Sequence, residues 1–189
     1  MITNAAISLT RRLCSDQPDE RQQLLCQYGI ELWLYTIAST AGLLLLGLLF
    51  NAAIESVIII SVYYICQSNG GGFHASTHAK CFLTMVFGLL TGLFLLRLPA
   101  ILIAFPFVGL ISGFLLLCFP LCLHQNKSYL NIQTRSLIRR SRCITTCLLG
   151  SLAIARLWNV KLFSAGCIAV FLSSVSRVSA VYKRRVIQS

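Results

Sequence analysis

Carboxylates are scarce in this 189-residue chain: Asp16, Asp19, Glu20, Glu31 and Glu55 are the complete set, and none follows Glu55. That gap excludes several chemistries. Two distant membrane helices cannot supply an aspartyl dyad, and no H-E-x-x-H zinc helix exists. A Ser-His-acid relay would have to borrow Glu31 or Glu55, with no G-x-S-x-G elbow to present the serine. No phosphate-binding loop for ATP is present either. Residues 1–30 lack the long apolar core of a cleavable signal peptide, so the first membrane helix is expected to direct insertion itself.

Charge of either sign is sparse. Charged residues make up 11% of the chain and hydrophobic ones 57%, with a mean hydropathy of +0.79. Soluble domains carry about 25% charged residues. The composition therefore predicts an all-α polytopic membrane protein with about six transmembrane helices. It reads as a single integral-membrane domain over residues 1–189, with interfacial amphipathic helices in 1–30 and the transmembrane bundle in 31–181. Nine cysteines, an odd number, are scattered through apolar segments and read as small hydrophobes in a reducing cell.

Periodicity supplies the elements. Ile2, Ala5, Ala6, Leu9 and Leu13 share one side of a short interfacial helix. A second amphipathic helix is expected from near residue 17, after a cap, a proline and acids suited to a helix start. Leu32 to Phe50 is an apolar run long enough to cross a hydrocarbon core of about 30 Å. Further helices are expected over Ala52 to Cys66, Phe82 to Leu96, Leu98 to Leu123 with a bend at Pro106, Cys143 to Ala155, and Leu162 to Ala180. Residues 124–142 read as a polar basic loop.

The net charge of +11 comes from short basic clusters between apolar runs, which membrane orientation explains better than nucleic-acid binding. With both termini cytoplasmic, only Arg97, Arg156 and Lys161 of the 16 basic residues fall outside. The same orientation brings one polar island, Asn69 to Cys81, to the cytoplasmic side.

That island holds Gly70, Gly71 and Gly72, then His74, His78, Lys80 and Cys81. A cysteine attacks as thiolate, and a free thiol with a pKa of about 8.5 needs a base or a positive neighbour at neutral pH. On a continuous helix His78 would stand beside Cys81, whereas His74 would lie about 10.5 Å away along the axis. Read from residues alone, the island also fits a metal site through His74, His78 and Cys81, or a gate in a non-enzymatic peptide exporter.

Several motifs carry a resemblance. They are Glu20, then Gln27-Tyr28-Gly29-Ile30-Glu31, then Gly71-Gly72-Phe73-His74-Ala75 with Thr77-His78 and Cys81 seven residues after His74, and Pro120 followed by Asn126-Lys127. In these the chain resembles the AgrB family of quorum-sensing membrane cysteine endopeptidases. It departs at Gln67, where many members carry arginine, and at Cys122 and His124, in a stretch where members carry an acid. The resemblance implies Cys81 as nucleophile and His74 as general base, acting on an AgrD-like precursor peptide through an acyl thioester that closes to a thiolactone. Gly71, Gly72, Gln67, His78, Glu31 and Lys127 would bind substrate or support the pair. It implies no metal and no cofactor, a lipid environment in the bacterial cell membrane, a homodimer, and a break in helix between His74 and Cys81.

Overall fold

The computed structural model describes residues 2–13, 20–71, 77–99, 103–119 and 131–188. These residues form helices and connecting turns, with no strand among them. The chain divides into two compact units, residues 1–45 and 46–189, and the boundary falls inside a helix.

The first unit contains α1, Ile2–Leu13, and most of α2, Glu20–Leu49. The second amphipathic helix and the first membrane helix are thus one continuous element. Nothing between Glu20 and Leu49 interrupts the helix: there is no proline, and Gly29 stands in open space. At 1.5 Å per residue α2 extends about 45 Å, longer than a hydrocarbon core, so part of it projects beyond the apolar layer.

The second unit is built from α3, Ala53–Gly70, α4, His78–Leu95, α5, Phe105–Cys118, α6, Asn131–Trp158, and α7, Val160–Gln188. Helix α7 is the central element and packs against the other four. Of its apolar stretch 61% is buried, against 17% for that of α4. Small residues make this possible: Ser164, Ala165, Ala169 and Ser173 are all fully buried, letting neighbouring backbones approach closely.

Polarity in this unit is inverted relative to a soluble protein. Ser56, Ser112, Ser141, Thr145, Ser164, Ser173, Ser174 and Arg177 are buried. Phe107, Leu110, Ile111 and Phe114 form an exposed stripe on α5, and Leu83, Phe87 and Phe94 are exposed on α4. Such surfaces belong in lipid. Among the described residues three helices, at 21–49, 78–95 and 160–182, are long and apolar enough to cross a membrane, and α5 is a shorter apolar helix.

Three sequence expectations are corrected. Pro106 does not bend a long helix but lies in the first turn of α5, where the missing N–H leaves no hydrogen bond unmade. Much of the basic segment expected as a loop is helical, because α6 begins at Asn131 and carries Arg135, Arg139, Arg140 and Arg142 on exposed positions. No glycine or proline falls between Asn131 and Leu149, so the helix runs on from the apolar half. Cys26 is disulfide-bonded, unlike the free thiols of Cys66, Cys81, Cys118, Cys143, Cys147 and Cys167. It lies in the polar early turns of α2, outside the apolar run that prompted the reduced-thiol expectation.

Candidate active site

Helix α3 outlasts its apolar stretch and ends in polar residues. Asn69 Nδ2 and Ser68 Oγ both donate back to the Ile65 carbonyl, at 2.8 and 3.2 Å, and Gly71 N–H closes the last turn on Gln67 O at 2.8 Å. Gly71 then turns the chain with φ 68°, a left-handed conformation that a side chain would strain. Gly72 and His74 lie outside the described residues, as does Lys127.

The chain is described again at Thr77, which is extended (φ −137°, ψ 151°) and caps α4 by accepting from Lys80 N–H at 3.3 Å. A single helix from His74 to Cys81 is therefore absent, and the separation such a helix would impose on the two residues does not apply. His78 is the first residue of α4 and is exposed, as is Lys80. Cys81 stands at the end of the first turn, half-buried and free, its N–H bonded to Thr77 O at 3.1 Å. The positive end of the α4 helix dipole lies there.

Gln67, on α3, is half-buried and donates through Nε2 to Ser176 Oγ on α7 at 2.7 Å. Tyr63, one turn earlier on α3, is half-buried and neighbours the Ser176 and Gln67 side chains. Tyr63 and Ser176 escaped the sequence reading. The available signal was Tyr63 and Gln67 at i and i+4, a polar pair on one face of an otherwise apolar helix.

Charge counting places Arg177 among the cytoplasmic cations, yet it is 1% exposed. Its guanidinium donates to Cys66 O at 2.6 Å, Phe119 O at 3.2 Å and Leu116 O at 3.4 Å, the carbonyl ends of α3 and α5. Gly70 admits it: a Cβ there would overlap the guanidinium.

Glu31 lies well inside α2, and its Oε1 accepts from Thr3 Oγ1 of α1 at 2.9 Å. Glu55, in the first turn of α3, lines a cleft of about 390 Å³ with Arg97 and Lys161. Arg97 donates to Phe50 O at 2.7 Å rather than to Glu55. Among the described residues no three His, Cys, Asp or Glu side chains gather into a metal-holding group, and His74 is not among those residues.

An all-helical bundle with lipid-facing apolar stripes, buried serines and a free thiol beside a polar cluster defines the class: an integral membrane protein with a polar site at one end of its helices. Residues 6–177 match the family Accessory gene regulator B, and the chain belongs to that family, which serves accessory gene regulator quorum sensing. It is 31% identical over 83 residues to AgrB-like protein 2 of Clostridium perfringens strain 13, and 29% identical over 83 residues to an AgrB-like protein of strain SM101. Each alignment covers 43% of this chain and only 38% of the relative. No solved structure matches the chain.

Proposed function

We propose that this protein is a cysteine endopeptidase of the bacterial cell membrane that removes the C-terminal tail of an AgrD-like precursor peptide. The observation that carries this reading is the setting of Cys81. It is a free thiol in the first turn of a helix that starts only at His78, after a glycine turn, and it lies seven residues past His74. Family membership supplies the substrate class.

In this reaction His74 takes the Cys81 proton and the sulfur attacks the scissile carbonyl. The tetrahedral intermediate collapses, the C–N bond breaks, and the proton passes from His74 to the departing amine of the tail. An acyl thioester remains on Cys81. A cysteine thiol of the precursor then attacks that thioester, closing a thiolactone and returning the sulfur of Cys81. Bond energy is conserved from thioester to thioester, so this step needs no ATP, cofactor or metal. Gly71 and Gly72 give the substrate backbone room to approach, Gln67 and His78 support the catalytic pair, and Glu31 and Lys127 bind the precursor. The count of basic residues supports a multi-pass chain with this site facing the cytoplasm, where a new peptide arrives. The working unit is a homodimer.

Co-expression with the precursor tests the reading. Processing is expected to vanish, by at least about 100-fold, in Cys81→Ala and in His74→Ala, with both variants still present in the membrane fraction. Cleavage that survives both substitutions rules the reading out. Export that changes while cleavage ignores Cys81 supports the alternative, a non-enzymatic exporter.

A further inference from the structure

Three charged side chains from three parts of the second unit open on one cleft, at the end of α4 away from Cys81. Glu55 stands in the first turn of α3, Arg97 just past the end of α4, and Lys161 in the first turn of α7. The helical stretch from Cys81 to Leu95 separates this end from the thiol by about 21 Å. The cleft encloses about 390 Å³, and Leu93 and Leu96, both buried, supply apolar lining.

The charges here are only partly satisfied by the chain itself. Arg97 gives one guanidinium nitrogen to Phe50 O at 2.7 Å, and among the described residues neither Arg97 nor Lys161 forms an ion pair with Glu55. Glu55 is half-buried, so it has lost water without gaining a cation in exchange. Arg156, a third cation at this end, is placed differently, over the Phe163 ring at 5.5 Å from its centroid.

Two cations against one carboxylate leave the cleft at +1. Helices α3 and α7 both begin here, and the positive ends of their dipoles add to that charge. The cleft therefore favours a singly charged anion, and Glu55 favours one that also brings a hydrogen-bond donor. Beyond the cleft the exposed side chains turn apolar, with Val57 on α3 and Phe94 on α4. Charged groups at helix ends above apolar flanks match the headgroup and acyl levels of a bilayer, and a soluble anion would gain nothing from those flanks.

We propose that this cleft binds the headgroup of an anionic phospholipid whose phosphate carries a hydroxyl-bearing substituent, the chemistry of phosphatidylglycerol. Arg97 and Lys161 hold the phosphate, Arg97 with a planar fork and Lys161 as a mobile point charge. Glu55 accepts from the headgroup hydroxyls. One lipid thereby ties the starts of α3 and α7 to the end of α4, independently of the chemistry at Cys81.

Native mass spectrometry of the full-length protein, released from detergent micelles doped with equal amounts of two lipids, tests this. The wild type is expected to retain one phosphatidylglycerol per chain about tenfold over phosphatidylcholine, whose headgroup is cationic and has no donor. Arg97→Gln and Lys161→Gln should each lower that preference at least about threefold. Arg135→Gln, which removes the same charge near the start of α6, should leave it unchanged. Equal losses in all three variants would reduce the effect to general attraction for a basic protein and overturn the site. Against phosphatidic acid, which ends in a bare phosphate able to carry a second charge, the wild type should prefer phosphatidylglycerol and Glu55→Ala should reverse the order. An order that Glu55→Ala does not change overturns the role given to the carboxylate. Soluble glycerol phosphate should leave the lipid in place; if it displaces the lipid, the cleft serves a free phosphoester and the lipid assignment fails.

Discussion

Two arginines hold the carbonyl ends of helices in the second unit, under opposite conditions. Arg97 is exposed and makes one bond, to Phe50 O just past the end of α2. Arg177 is buried and donates to three carbonyls at the ends of α3 and α5. The difference follows from solvation. An exposed guanidinium keeps most of its water and needs little from the protein, whereas a buried one must replace its hydration shell. With no carboxylate after Glu55, Arg177 has helix C-termini as its counter-charge, each equivalent to about half a negative charge. Backbone carbonyls can therefore balance much of a buried cation, provided several helix ends converge on it.

The largest effect is expected from Arg177→Met, which keeps much of the volume but removes every donor. Three carbonyls lose their partner, a destabilisation of about 3 kcal/mol, read as a clear drop in the temperature at which detergent-solubilised protein stays monodisperse. Gly70→Ala comes next at about 2 kcal/mol, because the new methyl competes with the guanidinium for space. Combining the two substitutions is expected to add little to Arg177→Met alone, since the clash disappears with the guanidinium. Full additivity would sever the link between Gly70 and Arg177. Arg97→Gln should be the smallest, within about 0.5 kcal/mol on the same assay. Were it to match Arg177→Met, burial would not be what separates the two arginines.

Which parts of this were legible in the sequence depended on the range of the forces involved. Apolar runs announced α2, α4 and α7, since a segment in lipid must satisfy its own backbone and therefore becomes a helix. The island with Cys81 stood out as a polar interruption, and the resemblance of its motifs agrees with the family match over residues 6–177. Boundaries were harder. Pro106 suggests a bend from sequence because one residue does not say whether it begins a helix or interrupts one. Arg135 to Arg142 looked like a loop because charge and helix are compatible, and hydropathy reports only the first.

Arg177 is the sharpest case. A lone cation in an apolar segment is a functional signal, yet counting charges by side absorbed it into the topology. Its partners, Cys66 and Leu116, are 111 and 61 residues away, and they contribute carbonyls, which every residue has.

The amino-acid sequence by itself determined that this is a helical membrane protein, where its apolar segments run, and that the island with His74, His78 and Cys81 follows a glycine break. Those properties depend on local hydrophobicity and on backbone freedom within a few residues. Only the tertiary structure decided which face of each helix is buried, that Gln67 meets Ser176 across 109 residues, and that Arg177 closes the ends of two helices. Hydrogen bonds between distant helices reflect packing geometry, and no local pattern of residues encodes them.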